Sequence, residues 1–95
     1  MSAYIIANVR VTNPEQYAEY RQWSTAAFEA HKAEVLVRGG AFEVIEGDWV
    51  PDRLVVVRFP SVAAAHAFYN SPEYGKARVA RENAAIMRLV IVEGV

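Results

Sequence analysis

Asn13-Pro14-Glu15-Gln16 follows the apolar run Ala3–Val11 after one intervening residue and opens the longest amphipathic stretch of the chain. Asparagine accepts hydrogen bonds from the free amides of a first helical turn, proline fits the first helical position, and glutamine three residues after the cap completes a capping box. We therefore predict a strand over residues 3–11 and a helix from about Pro14 to Lys32. A strand followed at once by a helix is the unit on which the rest of the fold prediction is built.

Glycine and a valine-rich run mark the middle of the chain. Residues 34–38 and 41–46 are strand-like runs joined by Gly39-Gly40, which we interpret as a bulge or bend in one continuous strand. A loop over residues 46–52 follows. It leads to a strand over residues 53–59.

Two further helices are predicted, each preceded by a serine that can cap it. Ser61 opens the first, and Ser71-Pro72 opens a second that runs to about Ala85. Residues 89–93 form the last strand. The order of strand, helix, bent strand, strand, helices and strand predicts an α+β fold, a ferredoxin-like βαββαβ sandwich with an antiparallel sheet and its helices on one face.

The length and the apolar content of the chain together predict self-association. With 95 residues the chain is one domain, residues 1–95, without room for a second core. Hydrophobic residues make up 54% of it, above the share of about 45 to 50% usual in soluble domains. The uncovered sheet face explains this excess if it packs on the same face of a second copy. We therefore predict a homodimer that forms a dimeric α+β barrel.

Charge and cysteine content argue against several classes of function. The net charge is -1 and no basic stripe is present, so we expect no nucleic acid partner. The absence of cysteine removes disulfides, thiolate nucleophiles and cysteine zinc sites, and it favours the cytoplasm. No apolar run approaches the roughly 20 residues of a membrane span, so no membrane partner is expected. The two histidines lack ligand spacing, and we predict neither a metal nor a cofactor.

Short motifs occur in a specific combination along nearly the whole chain: Asn13-Pro14-Glu15-Gln16-Tyr17, Val37-Arg38-Gly39-Gly40, Glu46-Gly47-Asp48-Trp49, Arg53-Leu54-Val55-Val56, Phe59-Pro60-Ser61, Ala67-Phe68-Tyr69, Ser71-Pro72-Glu73-Tyr74 and Val92-Glu93-Gly94. Together they resemble a bacterial family of uncharacterised proteins, the domain of unknown function numbered 1330. The resemblance implies the dimeric α+β barrel fold, in a superfamily that also includes cofactor-independent monooxygenases, muconolactone isomerases and haem enzymes. It implies no particular activity.

The first helix carries the candidate for catalysis on its inner face. Tyr17, Tyr20, Ser24 and His31 follow the spacing of three and four residues that places side chains on one side of a helix. His31 is the one group there that titrates near neutral pH, so we identify it as a candidate general base for a small organic ligand held between helix and sheet. The alternative is a helix-terminal histidine stabilised by the helix dipole.

Three further residues are candidates for binding that ligand, beside Tyr17 and Tyr20. The guanidinium of Arg38 suits a bidentate grip on a carboxylate, and the alternative is an ion pair with Glu46, Asp48 or a partner chain. Trp49 and Tyr74 offer flat aromatic faces, although we expect Trp49 at the dimer interface. Two functions remain open: small-molecule binding, with cofactor-independent proton transfer or oxygenation, and a non-catalytic dimeric structural or interaction module.

Overall fold

The computed structural model describes residues 1–95 and contains four strands and three helices. The strands are β1 (Ala3–Val11), β2 (Glu34–Arg38), β3 (Leu54–Phe59) and β4 (Ala85–Glu93). The helices are α1 (Pro14–Ala30), α2 (Val62–Tyr69) and α3 (Pro72–Ala80). The predicted βαββαβ order is confirmed, with its second helical segment divided into α2 and α3.

The sheet has the strand order β2-β3-β1-β4, and every neighbouring pair is antiparallel. β1 therefore lies between β3 and β4, as a ferredoxin-like sheet requires. Alternate residues of β1 are buried under the helices: Ile5, Ala7 and Val9. Successive side chains of a strand point to opposite faces, so the residues between them belong to the face that no helix covers.

The predicted start signals of the helices are confirmed, with one change of partner. Asn13 accepts a hydrogen bond from the amide of Gln16 at 3.3 Å, and Ser61 and Ser71 cap α2 and α3 in the same way. The side chain of Gln16, however, does not return to the cap. It donates to the carbonyl of Ala80 at 3.1 Å and so ties the start of α1 to the end of α3.

A cluster of aromatic rings forms the centre of the core. Phe68 of α2 lies with its ring centroid 5.3 Å from that of Phe28, 5.1 Å from that of Phe59 and 4.7 Å from that of Tyr74. These partners come from α1, β3 and α3. Phe68 therefore joins all three helices to the sheet.

The region after β2 differs from the prediction. β2 ends at Arg38, so the continuation of one bent strand over residues 41–46 is wrong: these residues are exposed, form no strand and make no backbone hydrogen bonds within the chain. The bulge lies earlier, between Val35 and Val37. Gly39, with a φ of 73°, then turns the chain away from the sheet in a conformation that glycine adopts readily.

The end of α3 also differs. The helix ends at Ala80, before the predicted Ala85, and β4 begins at Ala85, four residues earlier than predicted. Asn83 adopts a left-handed conformation with a φ of 64°, and the carbonyl of Ala84 accepts a hydrogen bond from the amide of Thr12 at 2.9 Å. Contact with the end of β1 thus overrides the helix propensity of this alanine-rich stretch.

The sheet face opposite the helices is apolar and uncovered. In β4 the side chains of Ile86, Val90 and Val92 are 53%, 58% and 44% exposed. The molecule measures 36 × 34 × 16 Å along its principal axes, which corresponds to one layer of helices on one sheet. None of the three helices is long and apolar enough to cross a membrane.

Replacement of Phe68 by alanine tests the central role of the aromatic cluster. We expect Phe68→Ala to lower the free energy of unfolding by about 3 to 5 kcal/mol, because it removes a buried ring and leaves a cavity. His66→Ala, an exposed change in the same helix, is the control and should shift stability by no more than about 0.5 kcal/mol. Urea unfolding measures both values, and equal effects would show that the core does not depend on this ring.

A hydrogen bond between the end of α1 and the start of α3 makes stability depend on pH. Nε2 of His31 lies 2.8 Å from Oε1 of Glu73, and this hydrogen bond lowers the pKa of the Glu73 carboxyl. The carboxylate therefore contributes stability above its unfolded pKa of about 4.3, and this contribution is lost as the pH falls through the lowered value.

We expect Glu73→Gln to reduce the loss of stability at acid pH, measured as the urea midpoint at several pH values from neutral to acid. Glu15→Gln is the matched control, because Glu15 holds the corresponding exposed position in the first turn of α1 and has no ion-pair partner. Identical pH profiles for the wild type and Glu73→Gln would contradict the assignment.

Candidate functional site

A small cavity of about 30 Å³ lies between α1 and the sheet. Such a volume holds roughly one or two water molecules. Most of its wall is apolar, from Ile5, Ala7, Phe28, Val55, Val57, Phe68, Met87 and Leu89. The polar part of the wall consists of tyrosine, serine and arginine side chains: Tyr17, Tyr20, Arg21, Ser24, Arg38 and Tyr74.

Two tyrosine hydroxyls meet at the cavity wall. The hydroxyl oxygens of Tyr20 and Tyr74 lie 2.8 Å apart, and both residues are buried. Burial raises the pKa of each hydroxyl above its ordinary value, most strongly for Tyr20. Both groups are consequently neutral at physiological pH and act as hydrogen-bond donors and acceptors, not as bases.

The bulge in β2 determines on which face Arg38 lies. Val35 is opposite Val57 in β3 and Val37 is opposite Val56, so one extra residue is accommodated between these two pairs. Arg38 is then opposite Val55, which belongs to the cavity wall. Because side chains alternate along a strand, a regular β2 would place Arg38 on the uncovered face.

Arg38 binds the flank of α1 with one end of its guanidinium. Its Nη2 atom donates to Oγ1 of Thr25 at 2.9 Å, to Oγ of Ser24 at 3.3 Å and to the carbonyl oxygen of Arg21 at 3.3 Å. The guanidinium carbon lies 5.5 Å from the ring centroid of Phe28. The remaining guanidinium nitrogens of Arg38 have no acceptor on the chain and are free to bind one.

Arg21, Arg38 and Arg53 form a cluster of positive charge, here called the arginine cluster. Burial, followed by the charge of Arg21, lowers the pKa of Arg38 from its usual value, although a guanidinium remains charged at neutral pH. Arg53 contacts the carbonyl oxygen of Arg38 at 3.5 Å, and its buried Nε atom has no hydrogen-bond partner. No carboxylate lies within 4.0 Å of any of the three guanidiniums.

An open groove of about 450 Å³ lies outside the cavity, on the exposed side of α1. Its wall is formed by Ala18, Arg21, Gln22, Thr25 and Arg38. Arg21 and Arg38 also line the cavity, so these two side chains stand between the buried space and the open one. An anion in the groove would meet both guanidiniums.

The structure brings together four of the residues singled out by sequence: Tyr17, Tyr20, Arg38 and Tyr74 all line the cavity. His31 does not line it. Its ring packs edge-on against Phe68 and its Nε2 atom is bound to Glu73. Trp49 is 62% exposed in the loop between β2 and β3, away from the cavity. The alternative ion pair of Arg38 with Glu46 or Asp48 does not form within the chain.

Sequence reasoning missed two members of the arginine cluster. Arg21 lies beside the inner stripe of α1, and its long side chain reaches the cavity wall from there. Arg53 stands just before β3, where no periodic pattern marks it. The antiparallel pairing of the end of β2 with the start of β3 was the available signal, because it places Arg53 next to Arg38.

The structure holds no group of three or more His, Cys, Asp or Glu side chains placed to bind a metal ion.

Solved structures with the same fold include proteins of unknown function and an oxygenase. One of unknown function from Rhodopseudomonas palustris is 25% identical, with a TM-score of 0.75 over 99% of this chain and 82% of the other. A dimeric ferredoxin-like protein of unknown function from Jannaschia sp. CCS1 is 13% identical, with a TM-score of 0.74 over 99% and 100%. SnoaB, a cofactor-independent oxygenase from Streptomyces nogalater, is 11% identical, with a TM-score of 0.64 over 99% and 93%. These likenesses confirm the ferredoxin-like fold.

None of the curated proteins matches the chain. The family described as domain of unknown function (DUF1330) matches residues 2–95, which is nearly the full sequence. The family inferred from the short motifs is thereby confirmed: this chain belongs to the DUF1330 family.

Proposed function

We propose that the protein binds a small organic carboxylate at the arginine cluster. The observation that carries this proposal is the set of three guanidiniums without a carboxylate within 4.0 Å. Clustered like charges repel one another, and partial burial of Arg38 adds a cost of desolvation. A bound carboxylate offsets both effects, since it accepts two parallel hydrogen bonds from a guanidinium and supplies the missing negative charge.

The body of the ligand would lie in the groove on the exposed side of α1. The cavity of about 30 Å³ is too small for a ring, whereas the groove of about 450 Å³ is open to solvent. The groove and the cavity meet at Arg21 and Arg38. If the carboxylate of the ligand binds there, the rest of the ligand lies along Ala18 and Gln22.

Catalysis at the same place would require a base near the bound molecule. Proton transfer requires a side chain that can accept the proton and lies within hydrogen-bond reach of it. The sequence-based candidate His31 lies outside the cavity wall, and the Tyr20 hydroxyl is kept neutral by burial. The arrangement therefore supports binding more strongly than catalysis.

The protein is further proposed to act as a homodimer. Its uncovered sheet face carries Ile86, Val90 and Val92, and a related protein from Jannaschia sp. CCS1 is described as dimeric. Packing this face on its symmetry copy would bury apolar surface that a single two-layer domain leaves in water. The arginine cluster lies on the helix side of the sheet and stays accessible in such a dimer.

A second function, a dimeric structural or interaction module without a ligand, is favoured by one observation. The interior is almost completely filled, with only about 30 Å³ of cavity beneath α1. On this alternative the aromatic residues of α1 serve packing alone, and the arginine cluster meets no small molecule. Ligand binding separates the two functions.

The first test uses benzoate as the probe and benzyl alcohol as its neutral analogue. We expect millimolar benzoate to raise the melting temperature of the wild-type protein, since a ligand that binds only the folded state stabilises it. Benzyl alcohol should have no effect, because it carries no charge. Arg38→Ala should weaken benzoate binding about 10- to 100-fold through loss of charge-assisted hydrogen bonds.

Arg78→Ala is the matched control for that test. Arg78 is an exposed arginine on α3 that lies over the ring of Tyr69, outside the groove, and its removal should leave benzoate binding unchanged. No stabilisation by benzoate would favour the structural module. The same stabilisation in wild type and Arg38→Ala would show that benzoate binds elsewhere, and it would overturn the site at the arginine cluster.

The second test measures the oligomeric state. We expect light scattering to show a dimer at micromolar concentration, and Val56→Asp on the uncovered face to weaken dimerisation about 100-fold or more by burying an unpaired charge. Val79→Asp on α3, 70% exposed on the helix side, should leave the dimer intact. A monomeric wild type at that concentration would contradict the homodimer.

A further inference from the structure

The connection from β2 to β3 is unusually long for two neighbouring antiparallel strands. It comprises residues 39–53, whereas about two to five residues are enough for a hairpin. Residues 40–50, here called the arm, make no backbone hydrogen bonds within the chain and are exposed throughout. Loops of this length without structure of their own are uncommon, and they are in most cases either functional or linker segments.

The composition of the arm is that of a contact surface. Phe42, Val44 and Trp49 are 41%, 42% and 62% exposed, and Ile45 is 93% exposed. Such a concentration of large apolar side chains in water is unfavourable unless another surface covers it. The arm is fixed at its end, because Pro51 is buried and the next residue is hydrogen-bonded to β1.

A complementary surface exists at the opposite edge of the sheet. β4 pairs with β1 along one side only, so its other side presents free backbone groups over nine residues. Its uncovered face is apolar through Ile86, Val90 and Val92. An extended segment with unpaired backbone groups and apolar side chains can add to such an edge as a further strand.

The charges of the two surfaces are also complementary. The arm carries Glu43, Glu46 and Asp48 and no basic residue, and none of these carboxylates has a cation within 4.0 Å. On the uncovered face, Arg88 of β4 and Arg10 of β1 are exposed and unpaired. Each surface thus lacks the charge that the other supplies.

We infer that the arm of one protomer lies along the free edge of β4 in a second copy of this chain. β2 and β4 are opposite edges of the sheet, so the arm departs from the edge distant from its own β4. A two-fold axis makes the contact reciprocal, with each arm on the partner's β4. The inference rests on the proposed homodimer and adds to it that the arm forms part of the contact between the two copies.

The absence of cysteine from the chain allows a direct test by cross-linking. One preparation carries Val44→Cys in the arm, and separate preparations carry Arg88→Cys, Val90→Cys or Val92→Cys in β4. After mixing and mild oxidation, at least one pairing should give a disulfide-linked heterodimer on a non-reducing gel, because a disulfide requires Cα atoms within about 7 Å. Glu29→Cys, exposed on α1 in the helix layer, replaces the β4 cysteine as the control and should not cross-link to the arm.

A second variant measures how much the arm contributes. Phe42→Ser combined with Ile45→Ser should weaken dimerisation at least about tenfold in sedimentation. The urea midpoint, measured at a concentration where wild type and variant are both monomeric, should stay unchanged, because both side chains are exposed within one chain.

The outcomes distinguish the arm from the dimer. A dimer that forms no arm-to-β4 disulfide, or that cross-links equally to the Glu29→Cys control, overturns the arm contact and leaves the homodimer in place. A dimer of undiminished affinity in the double variant does the same. A wild type that is monomeric at micromolar concentration overturns both.

Discussion

The packing of Phe68 against rings from α1, β3 and α3 is the contact on which the remaining structure depends. Its partners Phe28, Phe59 and Tyr74 hold the helices on one face of the sheet. Rings in this arrangement bury large apolar areas and also constrain the orientation of the elements that carry them. The cluster therefore sets the rotation of α1 about its axis, with Tyr20 towards the core and the flank of the helix towards the end of β2.

One extra residue in β2 determines which side chain of that strand meets the flank of α1. The bulge between Val35 and Val37 moves the last residue of the strand to the helix side, where it meets hydroxyl and carbonyl groups of α1. A one-residue change of register reverses the face of every following side chain. The arginine cluster is thus a product of strand register and helix rotation acting together. It concentrates unpaired positive charge at one place on the surface, although the net charge of the chain is -1.

Two surfaces of the molecule lack partners for a common reason. The three helices lie on one face of the four-stranded sheet and leave its other face uncovered. The arm, residues 40–50, also lacks partners, because its backbone N–H and C=O groups make no backbone hydrogen bonds within the chain. In the proposed homodimer a second copy would supply the buried apolar area and the paired backbone groups that both surfaces lack.

Local signals in the sequence determined the order of the elements, the capped starts of the helices and the inner face of α1. Asn13, Ser61 and Ser71 act within one turn, and the stripe that includes Tyr17 and Tyr20 depends only on helical spacing; these features are decided by neighbours in the chain. The family followed from the same local motifs. The tertiary structure alone decided where the elements end and which polar side chains meet.

The hydrogen bond from Thr12 to the carbonyl of Ala84 lies where the alanine-rich segment leaves the helix and enters β4. His31, at the end of α1, is hydrogen-bonded to Glu73 at the start of α3 and therefore does not line the cavity. The bulge, which appears only in the pairing of β2 with β3, brought Arg38 to Arg21 and Arg53. These outcomes depend on distances between residues far apart in sequence. Spacing along a single element carries no information about them.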